Sequence, residues 1–196
     1  MRKILLTAIL VTSAVTVQAD DKFKLGVEGG FAIADLGAED VAQALANSTG
    51  RTVTYTEEQG TPYFRIYGAY ELNDQFDLEV GYFKAASLDS DYTLAGVSGS
   101  VGVGVEVSGW DLGGRFNVND NVFLKAGMHS SEMEGTVSVT ISGTTYSASA
   151  SQDGTGAYFG GGYNFNDNLS VGFTHLSSLA GDSDADANLL YVGYQF

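Results

Sequence analysis

The sequence predicts an all-β protein, an eight-stranded antiparallel up-and-down transmembrane β-barrel behind an N-terminal signal peptide. Three observations lead there. Apolar and polar residues alternate along most of the chain, three similar Asn-Asp turns recur at nearly constant spacing, and the final strand alternates up to a terminal aromatic residue.

At the N-terminus, Arg2 and Lys3 precede the apolar run Ile4 to Val11 and a small-residue site at Val17-Gln18-Ala19, the three-part pattern of a secretory signal peptide. The expected division is a signal peptide over 1–19 and a barrel domain over 20–196. Cleavage after Ala19 removes two of the 9 basic residues and none of the 24 acidic ones, leaving a formal charge of −17. A chain so acidic lacks the basic footprint that a phosphate backbone demands, so nucleic-acid binding is excluded. Beyond the signal no apolar run of about 18 residues occurs, so a second helical membrane span is not expected. With no Cys, neither a disulfide framework nor a thiolate site is available. A content of 26 Gly, 11 Tyr and 11 Phe with a single Pro fits closely packed strands.

The repeated turns are Leu72-Asn73-Asp74-Gln75-Phe76, Val118-Asn119-Asp120-Asn121-Val122 and Phe165-Asn166-Asp167-Asn168-Leu169, spaced 46 and 47 residues apart. That interval holds two strands, one tight turn and one long loop, which defines a hairpin array. With opening and closing strands added, eight are expected: 22–33, 61–72, 76–86, 105–118, 122–131, 156–165, 169–178 and 187–196. The even count, with short turns at one end and long loops at the other, is the layout of an outer-membrane barrel. The loops are then 34–60, 87–104, 132–155 and 179–186, the first containing a short amphipathic helix over Glu39 to Asn47.

Face by face, one parity carries Phe64, Ile66, Tyr70 and Leu72, Phe76 to Tyr82, Trp110 to Val118, and Val122 to Met128. The other carries Arg65, Glu71, Asp77, Glu79, Asp111, Arg115 and Lys125. A soluble sandwich turns its charges to solvent, whereas a barrel in lipid turns them inward. Glu28, Arg65, Glu79, Arg115 and Lys125 are therefore expected as a barrel-interior charge network, pairing across the lumen because unpaired charges there cost several kcal/mol each, on the order given by desolvation. An eight-stranded barrel is just wide enough for its side chains to fill, which favours a structural plug over a gated ion path. Trp110, Tyr63, Tyr82, Phe159, Tyr163 and Tyr194 are expected to face the lipid as interfacial aromatics.

The loops and adjoining rim hold Asp35, Glu39, Asp40, Glu57, Glu58, Asp89, Asp91, Glu132, Glu134, Asp153, Asp182, Asp184 and Asp186 against a single Arg51, an anionic cap that repels polyanions. Asp182, Asp184 and Asp186 have the spacing of the start of a calcium loop, but the glycine and distal Glu of that motif are missing, and no metal or cofactor is expected. Thr136 to Gly143 alternates, as do Val101, Val103, Val105 and Val107, so these segments can extend strands above the membrane and offer edges for β-augmentation.

The signal peptide, the Asn-Asp turns and the closing Tyr194-Gln195-Phe196 resemble the OmpA-like and OmpX/Ail-like eight-stranded outer-membrane barrels. The resemblance implies a porin-family protein of the cell outer membrane, exported through the periplasm. It also implies that the barrel assembly machinery reads Phe196 as its assembly signal, and that outer-membrane lipid and lipopolysaccharide surround the strands. The function expected is non-enzymatic: a scaffold displaying four acidic loops for envelope integrity, or for adhesion and colonisation through a host or cell-surface ligand. One enzymatic alternative has residues behind it. His175 and Ser177 share a strand face near the outer rim, similar to the pair of the lipid A 3-O-deacylase barrels, although Ser178 stands where that family has Asn and Leu189 where it has an acid. A small pore is the second alternative.

Overall fold

The computed structural model describes residues 22–34, 37–182 and 185–196, so the expected signal peptide over 1–19 lies outside them, as do Asp35 and Asp184. The described elements are β1 (Phe23–Ile33), α1 (Ala38–Thr49), β2 (Val53–Glu57), β3 (Thr61–Asn73), β4 (Phe76–Leu94), β5 (Gly99–Asn117), β6 (Val122–Ile141), β7 (Thr144–Asn164), β8 (Leu169–Leu176) and β9 (Ala187–Gln195). Antiparallel pairing runs β4-β3-β1-β9-β8-β7-β6-β5, and a further β4–β5 ladder joins the two ends, so eight strands close into a barrel. Closure leaves no edge at membrane depth, as backbone in hydrocarbon requires.

The repeated turns owe their similarity to one side chain. The Oδ1 atoms of Asn73, Asn119 and Asn166 accept from the backbone N–H two residues on, at 3.0, 2.9 and 2.9 Å. Each Asn thereby closes its own turn and fixes the register of the strands it joins.

Two of the expected loops are mostly strand. Segment 87–104 is reduced to the connection 95–98 between β4 and β5, and 132–155 to the two-residue turn Ser142-Gly143 between β6 and β7. Both turn residues have positive φ, 51° and 83°, the conformation that suits a two-residue hairpin. Alternation simply continues past the membrane, so strands sized for the apolar band stop too early. The first loop contains the expected helix, α1, and also β2, a strand the sequence reading missed.

The extensions of β4, β5, β6 and β7 leave the barrel together, and β2 pairs with the end of β4 from Val53 opposite Leu94 to Glu57 opposite Ser90. The result is a five-stranded sheet standing beyond the barrel, ordered β2-β4-β5-β6-β7. A register shift between Ala85 and Leu88 lets the inward parity pass from Ala85 to Leu88, Ser90 and Tyr92. Without that extra residue Asp89 and Asp91 would point inward. The helix α1 packs Ala38 and Ala42 on Tyr92, with Leu45, Val53, Val101 and Val103 around them, so it covers the β2-β4-β5 part of this inner face.

Candidate functional site

Chemistry-bearing side chains collect in the lumen and above the outer rim. In the lumen, Arg65 on β3 lies at the centre of three carboxylates. Its Nε and Nη2 donate to Asp111 at 2.8 and 2.6 Å, its Nη1 to Glu28 at 3.0 Å, and both Nη atoms to Glu79 at 3.1 Å. Lys125 Nζ donates to Glu28 at 3.1 Å and sits 4.3 Å from the centre of the Tyr191 ring. All five groups are buried. Gly81 makes room for the guanidinium, since a Cβ there would stand 2.6 Å from Arg65 Nε.

Two positions differ from expectation. Asp111 belongs to the network although only its parity, and no pairing, was read from the sequence. Arg115 donates instead to the side-chain oxygens of Asn117 at 3.3 Å and Asn164 at 2.7 Å, and its guanidinium lies 3.8 Å from the centre of the Phe123 ring. It lies nearer the short-turn end, where Asn117 and Asn164 take its hydrogen bonds and Asp77 stands opposite it on β4. Beside Arg65 and Asp111, a cavity of about 10 Å³ leaves space for roughly one water.

Tyr63 is the clear correction among the outward aromatics. It is 5% exposed, and its hydroxyl donates to Glu28 at 3.4 Å. It shares the parity of Arg65, and that parity decides its direction. Trp110, Phe159, Tyr163 and Tyr194 do face outward, and Tyr82 packs edge-on against Trp110 with ring centres 5.2 Å apart.

Above the network the lumen becomes apolar. Tyr63, Phe83, Leu88, Leu176, Leu179 and Leu189 line a cavity of about 60 Å³, capped by a 3-10 turn at Leu179–Gly181. The cap is tied down where the Ala180 N–H donates to Ser131 Oγ at 2.9 Å and Gln152 Nε2 donates to the Ala180 carbonyl at 3.1 Å.

At the rim, His175 faces outward against Phe159, with ring centres 5.0 Å apart. Its Nδ1 is 3.0 Å from Asn188 Oδ1 and its Nε2 is 3.7 Å from Asp186. Ser177 Oγ donates to the Ala157 carbonyl at 3.1 Å. Both ring nitrogens and the hydroxyl are thus turned to other partners, and a hydroxyl bonded to a carbonyl is not poised for removal of its proton by His175. Asp186 also accepts from the Ser178 N–H at 3.0 Å. Among the described residues no three His, Asp or Glu side chains gather as a metal site.

The protruding sheet has two unequal edges. β2 is five residues long, ends in Glu57 and is flanked by Arg51 and Glu58. β7 is bare from Thr144 to Ser151, because its pairing with β8 begins only at Tyr158 opposite Leu176. The hairpin from Gly135 to Gln152 contains no charged residue at all. Its inner face carries Val137, Ile141 and Tyr146, at 44%, 54% and 66% exposure, and its outer face carries Ser and Thr. Burial under α1 raises the Tyr92 hydroxyl above its ordinary pKa, and the charge on the inner face near β2 is Glu57, opposite Ser90.

The family model described as outer membrane protein beta-barrel domain matches residues 4–196. The chain belongs to that family. It is therefore an outer-membrane protein, with the short turns on the periplasmic side and the protruding sheet outside the cell. No curated protein matches it in sequence. Among solved structures, the attachment invasion locus protein Ail of Yersinia pestis is similar at 14% identity and a TM-score of 0.56, with 89% of this chain and 99% of that one covered. Ail in complex with the heparin analogue sucrose octasulfate gives 15% identity and a TM-score of 0.53, with the same coverage. At these identities the likeness is one of fold.

Proposed function

We propose that this barrel is a non-enzymatic scaffold that holds a protruding sheet at the cell surface for contact with another surface. One observation carries this reading: four barrel strands continue past the rim into a five-stranded sheet whose β7 edge is unpaired. Edge strands are ordinarily blunted by charge, shortness or cover, and β7 has none of these. An exposed row of N–H and C=O groups recruits a strand from a partner.

The charge of the cap narrows the partner. The Ail complex contains a polysulfated heparin analogue, whereas the acidic residues around this sheet disfavour a polyanion. The ligand proposed here is a neutral or basic protein segment that adds as a strand. In the membrane, the charge network serves as a rigid plug and outer-membrane lipid and lipopolysaccharide contact the outward face. Phe196, 73% exposed with its N–H donating to the Leu25 carbonyl at 2.8 Å, serves as the assembly signal.

Deletion of residues 136–150 tests the reading. Cells expressing the deleted chain are expected to lose adherence to host cells and to other bacteria, while the barrel retains its heat-dependent gel shift. Undiminished adherence overturns the display role. Unchanged lipid A in cells expressing the full chain is the companion result, and loss of an acyl chain that depends on His175 would replace this reading with the esterase.

A further inference from the structure

We propose that the partner strand is the same β7 edge of a second copy, carried by an opposing membrane, so that the chain joins cells through antiparallel β7–β7 pairing. This rests on the display reading above and specifies its partner.

The available backbone groups follow from the turn. In a two-residue hairpin the pair flanking the turn, Ile141 and Thr144, exchanges both hydrogen bonds, and such pairs alternate along the ladder. The N–H and C=O groups of Thr144, Tyr146, Ala148 and Ala150 therefore face β6. Those of Thr145, Ser147, Ser149 and Ser151 face the open edge. A two-fold axis midway between the two copies of Ala148 sets Thr145 opposite Ser151 and Ser147 opposite Ser149. All four open residues on each strand are then used, giving about eight hydrogen bonds.

Side chains agree with that register. Residues of even number stay opposite even numbers, so Tyr146, Ala148 and Ala150 of one copy continue the apolar inner face of the other, and the Ser and Thr faces join likewise. Charge selects the same partner. The loops and rim outside the barrel are dominated by acidic residues, so two copies repel there, whereas this hairpin carries no charge.

Symmetry then fixes the orientation. Copies in one membrane are related by an axis along its normal, which keeps both β7 strands descending toward the same bilayer. With strands tilted about 35–45°, they cross at roughly 70–90° and cannot pair. An axis parallel to the membrane plane makes the strands antiparallel, and that places the copies on facing membranes. Ala148 stands about 34 Å along the strand beyond the last β7–β8 pair, at about 3.4 Å per residue. Each contact is small, and an array of them across two cell surfaces acts by avidity.

The test mixes two differently labelled populations of a laboratory Gram-negative strain, each with or without the chain. Expressing cells are expected to form mixed clumps with one another and none with empty cells. Ser147→Pro removes one open-edge N–H without touching the β6 ladder, and at least a tenfold drop in clumping is expected with the gel shift unchanged. Because the chain has no Cys, Ala148→Cys is expected to form disulfide-linked dimers containing one label from each population, and Thr144→Cys, which faces Gln152 in this register, none. Absence of clumping, clumping undiminished in Ser147→Pro, or absence of the Ala148→Cys dimer overturns the proposal. Adherence to host cells that persists in any of these cases leaves the display reading standing, and loss of nothing on deletion of 136–150 removes both.

Discussion

The lumen and the protruding sheet share the strands β4 to β7 and follow opposite rules. Inside the barrel, Glu28, Glu79 and Asp111 surround Arg65 with side-chain exposures of 5% or less, and each carboxylate has a cationic partner within 3.1 Å. Beyond the rim, the same β7 presents eight consecutive exposed residues from Thr144 to Ser151, uncharged and with one edge unpaired. The difference is one of solvent. In a narrow lumen an unpaired charge is intolerable, so the residues there specify one closed arrangement. In water an unpaired strand edge costs little, so it can wait for a partner.

The largest way to break that contrast is Arg65→Ala. It leaves three buried carboxylates facing Lys125 alone, and stability is expected to fall by about 3–5 kcal/mol, the cost of stripping one partner from a buried pair. Urea unfolding of the barrel in micelles, followed through the single Trp110, measures it. Tyr92→Ala acts on the other region. It empties the seat of α1 at a cost of about 3 kcal/mol. Amide exchange over Ala38–Thr49 is then expected to rise roughly a hundredfold, with the Trp110 transition unmoved. Gly81→Ala is milder, about 1–3 kcal/mol of overpacking against Arg65 in the same urea assay. Ser147→Pro is the smallest in energy, within about 0.5 kcal/mol, because it touches an exposed edge. An unchanged urea midpoint together with lost clumping would separate the two regions completely.

Much of this architecture is legible without coordinates. Alternation gives eight strands and their inward faces, and Glu28, Arg65, Glu79, Arg115 and Lys125 are all buried. Less legible is where membrane ends and water begins. The Val101 to Val107 and Thr136 to Ile141 segments alternate as regularly as the transmembrane parts, so nothing marks a strand end there. The segment Val53 to Glu57 was absorbed into a loop although Val, Thr and Tyr alternate in it, since five residues beside a helix give a weak period. Pairing inside the lumen is hidden for a different reason. Arg65 finds Asp111 46 positions away, on a strand that is not its neighbour, and a linear pattern reports direction but not opposite number. Tyr63 shows the converse, because its place beside Arg65 in the alternation was sufficient to turn it inward.

The ion pairs also bear on the order in which the barrel can be made. Arg65 on β3 reaches Asp111 on β5, and Lys125 on β6 reaches Glu28 on β1, which becomes fully bonded only when β9 arrives on its other side. A growing N-terminal sheet therefore carries its charged face open until the last strand is in place. Such an intermediate has one face, with its charges, unsuited to lipid and the other, apolar, unsuited to water. Insertion and closure are consequently coupled, and a chain truncated before Ala187 is expected to remain in the periplasm rather than stall halfway across the bilayer.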